Sequence, residues 1–143
     1  MGILMEILSA DDIFAKLKRV MMDAFAVEAN EVTRWSKLCK DFRADDMDFM
    51  DLVYRIEQAF RVKINADELF PEEMMPCHWH LHRYKFSSER LAEVKAKMTF
   101  VELFDETTHL NVREWAELYT VDTLVRYLLC KQVRIRLPQS IVA

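Results

Sequence analysis

Apolar side chains return at helical spacing in three places along the chain. Ile13, Leu17, Val20, Met21 and Ala24 fall on one side of a helical wheel, with Lys16, Lys18, Arg19 and Asp23 elsewhere. This pattern predicts an amphipathic helix over about residues 11–26. A second stripe, Phe49, Val53, Ile56 and Phe60, follows Asp45. Asp45 is a good N-cap, and Asp46 and Asp48 fall in the first turn, where the positive end of the helix dipole favours carboxylates. A third stripe, Val121, Leu124, Val125 and Leu128, begins at the capping residue Thr120. Lys131, Arg134 and Arg136 beyond it suit the negative C-terminal end. The intervening stretch 27–44, VEANEVTRWSKLCKDFRA, has no sustained period. It reads as a long, partly packed loop anchored by Val32, Trp35, Leu38 and Phe42. A short VKI stretch and a helical turn at ADELF follow the second helix.

Residues 71–118 differ in character. Pro71 and Pro76 break the chain before CHWHLHRYKF. Ser87 or Ser88 can then cap a helix bearing Leu91, Val94 and Met98. Thr99 with Glu102, and Asn111 with Glu114, have the spacing of capping boxes and predict two more short helices. The tail after Pro138 is expected to fray.

Composition narrows the class. The 143 residues are 52% apolar, enough for one domain with a real core. There is a single glycine, Gly2, where average usage predicts about ten. Glycine-cradled phosphate loops, the dinucleotide fingerprint and glycine-dependent hairpins are thereby excluded, and the class is all-α. The net charge of −4 argues against a nucleic-acid binder. Charge is also uneven: Asp41–Gln58 holds six acids and two bases, whereas Arg126–Arg136 holds four bases and no acid. The acidic run reads either as a solvated helix surface or as a face that meets basic partners. No segment has the ~18 consecutive apolar residues of a membrane span. The opening MGILMEIL lacks a basic start, carries Glu6 where a myristoylation site needs Ser or Thr, and runs into Asp11 and Asp12, unlike a signal peptide. Three cysteines, Cys39, Cys77 and Cys130, are expected to be reduced thiols in a cytoplasmic protein.

The order of helix, long loop, acid-started helix, short turn and final helix resembles the acyl carrier protein family. Its EVT step matches Glu31-Val32-Thr33, and its D-[LF]-G-A-D-S-L-D motif matches Asp41-Phe42-Arg43-Ala44-Asp45-Asp46-Met47-Asp48. E-x-x-F matches Glu57-Gln58-Ala59-Phe60, x-x-I-P-D-E falls on Ile64-Asn65-Ala66-Asp67, and the T-V-x-D-L helix matches Thr120-Val121-Asp122-Thr123-Leu124. The register holds without a gap from Lys16 to Leu69, and with the last helix the resemblance covers roughly half the chain. It implies an acyl-carrier-like four-helix bundle in one domain over 1–143, with a helical insertion at about 71–118. The insertion could enlarge the core, cover the groove where a carrier shelters its acyl chain, or project as a docking surface.

The resemblance breaks at the family's working residue. Carrier proteins use the motif's serine hydroxyl to attack coenzyme A and acquire a phosphopantetheine arm. Asp46 holds that position here. A carboxylate cannot form the stable phosphodiester, and its charge repels the incoming pyrophosphate. Arg43 replaces the glycine before the motif. The expectation is therefore a non-enzymatic protein without phosphopantetheine, which docks Asp45, Asp46, Met47, Asp48, Asp51 and Glu57 on a basic-faced enzyme of fatty-acid or polyketide type. A working carrier with an atypical attachment site is the alternative.

Other constellations offer further chemistry. His78, His80 and His82 alternate, so an extended strand puts them on one side, with Cys77 adjacent. Imidazole with thiolate suits zinc, and metal binding through CHWHLH is a second alternative, set against ordinary polar-aromatic packing. Trp35, Trp79 and Trp115 are expected as core or partial-core anchors, with use at an interface as the alternative. Methionines such as Met21, Met22, Met47 and Met50 are expected in helix packing. The carboxylates of Asp45, Asp46, Asp48 and Asp51 have no neighbouring His or Lys in the sequence to support acid–base catalysis.

Overall fold

The computed structural model describes residues 7–70, 87–97 and 119–136. Helix α1 spans Ala10–Phe25 and starts where Ser9 and Asp12 accept each other's backbone N–H, at 3.1 and 3.2 Å. Two orphan donors are thus satisfied reciprocally. The helix stops at Ala26, which turns left-handed at φ 52°. Ile13, Leu17, Val20 and Met21 are buried, as their spacing predicts.

Helix α2, Asp46–Phe60, packs on α1 and buries Phe49, Leu52, Val53 and Ile56. Leu52, three residues after Phe49, shares the buried face. Phe60, expected within the stripe, is the last helical residue and is only half-buried, with the Lys16 ammonium 5.0 Å above its ring. The backbone leaves α2 through Arg61 at φ 52°. The Ile64 N–H then donates to the Glu57 carboxylate at 3.0 Å, which fixes the approach to the one-turn helix α3, Ala66–Leu69.

Ser87 caps α4, Ser88–Lys97, by accepting the Arg90 N–H at 3.1 Å. Val94 on this helix joins the common core, and Lys97 pairs with Asp67. Helix α4 thus contributes a side chain to the core. Helix α5, Val121–Arg136, packs on α1 and buries Val121, Leu124, Val125 and Leu128. It runs farther than expected, so Lys131, Arg134 and Arg136 lie within its last turns and not beyond them. Lys131 reaches back to Glu68 at 3.8 Å.

The loop from Val27 to Asp45 is fastened to the start of α5. Lys37 and Thr120 form an isolated antiparallel bridge, and the Leu38 N–H donates to the Tyr119 carbonyl at 3.0 Å. The N–H groups of Val121 and Asp122 donate to the carbonyls of Ser36 and Arg34 at 2.9 and 2.7 Å. Asp122, only 4% exposed, accepts from Arg34 Nε at 2.8 Å and Arg126 Nε at 2.9 Å, and Arg34 Nη2 lies 2.7 Å away. A buried carboxylate is tolerable when so satisfied.

Val32 and Leu38 are buried, and Phe42 stacks on Phe25 with centroids 5.1 Å apart. Trp35 is the exception among the expected anchors, being 68% exposed. Arg34 and Ser36 both turn towards α5, and the side chain between them is directed outward.

Tyr119 closes the other end of the bundle. Its hydroxyl donates to the Leu69 carbonyl at 2.9 Å, and its ring lies 5.3 Å from Phe70, which itself packs edge-on to Phe49 at 4.7 Å. Among the described residues there is no strand and no helix long and apolar enough to cross a membrane.

Candidate functional site

The start of α2 is built from the loop upward. Leu38 and Ala44 are buried, and the Ala44 N–H donates to the Leu38 carbonyl at 3.3 Å. Lys37 and Asp41 close the loop between them: the Lys37 N–H donates to the Asp41 carboxylate at 2.7 Å, and the Asp41 N–H to the Lys37 carbonyl at 2.9 Å. Arg43 then takes a left-handed conformation, φ 51°. That region disfavours a side chain and suits glycine. The turn aims the chain into Asp45, whose carboxylate accepts the Asp48 N–H at 2.9 Å while Asp48 accepts the Asp45 N–H at 2.9 Å.

The predicted docking residues occupy this helix but do unequal work. Asp45 and Asp48 cap each other, each keeping a second carboxylate oxygen. Asp51 pairs with Arg55 one turn on, at 2.7 Å. Such an exposed pair contributes only ~0.3–0.5 kcal/mol. Glu57 holds the Ile64 N–H and is a structural residue as much as a surface charge. Met47 is 78% exposed, and Met50 and Tyr54, at 60% and 61%, continue the same side of the helix. Helix packing, the expected role of Met47 and Met50, is therefore not theirs. Met50 and Tyr54 are the surface residues that sequence reasoning missed. Their signal was available: positions 47, 50 and 54 are spaced i, i+3, i+7, out of phase with the buried stripe.

Asp46 is the first residue of α2, and the resemblance aligns it with the serine that receives phosphopantetheine in the family. The residues present do not fit that group. Position 46 carries a carboxylate, and no hydroxyl occurs between Arg43 and Val53.

Among the described residues, no cluster of three or more His, Cys, Asp or Glu side chains could hold a metal ion. The zinc candidates Cys77, His78, His80 and His82 lie outside the described residues, as do Trp79 and Trp115.

No protein-family model and no solved structure matches this chain. Curated sequences do. The acyl carrier protein of Thermotoga maritima is 36% identical over 61 residues, spanning 43% of this chain and 75% of that one. The acyl carrier protein of Helicobacter hepaticus is 35% identical over 57 residues, 40% of this chain and 75% of its own. That of Guillardia theta is 30% identical over 60 residues, 42% and 74% respectively. The chain belongs to the acyl carrier protein family.

Proposed function

We propose that this family member works by docking and carries no phosphopantetheine arm. The observation that carries the reading is the start of α2, where Asp46 replaces the attachment hydroxyl while an exposed face of Met47, Met50 and Tyr54 remains, flanked by Asp45, Asp48 and Asp51. Apolar side chains ringed by acids suit an enzyme surface with a shallow apolar patch among lysines and arginines. Burial of the apolar centre supplies affinity, and the acids steer approach and fix orientation. The partner class is an acyl-chain-handling enzyme of fatty-acid or polyketide type, and the protein itself is non-catalytic.

Two measurements test this. The purified chain, incubated with coenzyme A and a broad-specificity phosphopantetheinyl transferase, is expected to keep its mass. A gain of one phosphopantetheine group would overturn the loss of the arm and establish a working carrier. Binding to a basic-faced fatty-acid ketosynthase, measured by titration calorimetry, is expected to weaken as salt rises. Met47→Glu and Asp51→Lys should each weaken it about fivefold or more, the loss typical of a contributing interface residue. Affinity that is indifferent to both substitutions would refute the docking face.

A further inference from the structure

Trp35 stands out from a turn that is braced from beneath. The Ser36 N–H donates to the Thr33 carbonyl at 3.2 Å and the Trp35 N–H to the Thr33 hydroxyl at 3.3 Å. Arg34 and Ser36 on either side are tied to α5. A large aromatic on a rigid mount surrenders little freedom when it docks, and tryptophan is the residue type most enriched where interfaces concentrate their binding energy.

On the same chain, α1 and α2 leave an open groove of about 480 Å³ between them, where Val20, Tyr54 and Ala59 adjoin Asp23, Gln58 and the Asp51–Arg55 pair. With Asp51 and Arg55 paired, the charge left in the groove is opposite to the one beside Trp35. Lys37 lies two residues from Trp35, and Asp23 lines the groove. Neither side chain is in an ion pair among the described residues, whereas Arg34 is held by Asp122 and Asp51 by Arg55. We infer that the chain associates with itself, Trp35 of one copy seating in the α1–α2 groove of another with Lys37 facing Asp23. A protruding apolar group and a receptive pocket on one molecule are the ingredients of such heterologous contacts. Tyr54 and Asp51 belong both to the groove and to the outward side of α2. Self-association therefore covers part of that surface, although the contact requires no carrier-like activity.

The test is sedimentation velocity on the full chain from the micromolar to the millimolar range, with circular dichroism to verify folding of each variant. The weight-average mass is expected to rise above the monomer as concentration increases. Trp35→Ala should move the midpoint of association at least about tenfold higher, as for an interface anchor. Asp23→Lys and Lys37→Glu should each weaken association, and the double variant should recover it. A chain that stays monomeric throughout, a Trp35→Ala protein that associates like wild type, or a charge swap that fails to recover would each overturn the inference. None of these outcomes depends on ketosynthase binding.

Discussion

Asp122 joins the long loop to the last helix, and its removal should be felt by the whole bundle. In Asp122→Asn the shape is kept, but the charge that receives Arg34 Nε, Arg34 Nη2 and Arg126 Nε at 2.7–2.9 Å is lost. Breaking a buried ion pair from one side costs about 3–5 kcal/mol when the partner is stranded. Here both arginines are about one-third exposed and can turn to water, so the expectation falls below that range, at about 2–3 kcal/mol. For a chain of this length, that corresponds to a fall in Tm of about 6–12 °C. Urea denaturation with an unchanged m-value would show that the native state, not the unfolded one, has been altered. A double-mutant cycle with Arg34→Met should give a coupling of about 1 kcal/mol or more. A loss below about 0.5 kcal/mol, or additive single effects, would refute the clasp.

Arg43→Gly should stabilise the protein. Left-handed backbone costs a non-glycine residue ~1–2 kcal/mol, and glycine returns ~0.5–1 kcal/mol through its freer unfolded chain, so a net gain of about 0.5–1 kcal/mol is expected by calorimetry. A decrease would show that the Arg43 side chain contributes more than its backbone strain costs. Tyr119→Phe tests the alkaline limb. Burial, and then the neighbouring Tyr127, push the Tyr119 hydroxyl well above its ordinary value. Above about pH 10 the unfolded chain releases this proton while the folded chain keeps it, so stability falls as pH rises further. The phenylalanine variant should lose about 1 kcal/mol at pH 7 with its hydrogen bond to Leu69, yet decline less steeply above pH 10 in urea titrations. Parallel pH profiles would contradict this account.

The helices were legible because periodicity and caps agreed. Ile13, Leu17, Val20 and Met21, and likewise Val121, Leu124, Val125 and Leu128, are buried as their spacing required, and Asp45 caps α2 as its residue type suggested. The loop was less legible, since its order comes from partners about 80 residues away. Nothing near Trp35 in the sequence shows that Arg34 and Ser36 will be drawn to α5, and that is what turns the indole outward. For the same reason Asp122 read as part of a helix start and not as the receiver of two guanidinium groups. At the candidate site the acids were visible but their mutual capping was not. The exposure of Met50 was concealed by the assumption that apolar means internal, which fails on surfaces where more than half of the accessible area is apolar anyway.

The hydroxyl of Tyr119 on the Leu69 carbonyl has a consequence for the chain between residues 71 and 118. The excursion that begins after Phe70 returns at Tyr119, and those two rings lie 5.3 Å apart. Departure and arrival share one doorway, latched by contacts among Leu69, Phe70 and Tyr119. Loop-closure cost grows slowly with length, by only ~0.6 kcal/mol per doubling once the ends are held together. The bundle therefore has a grafting port, through which evolution or a protein engineer can splice new segments while the frame stays shut.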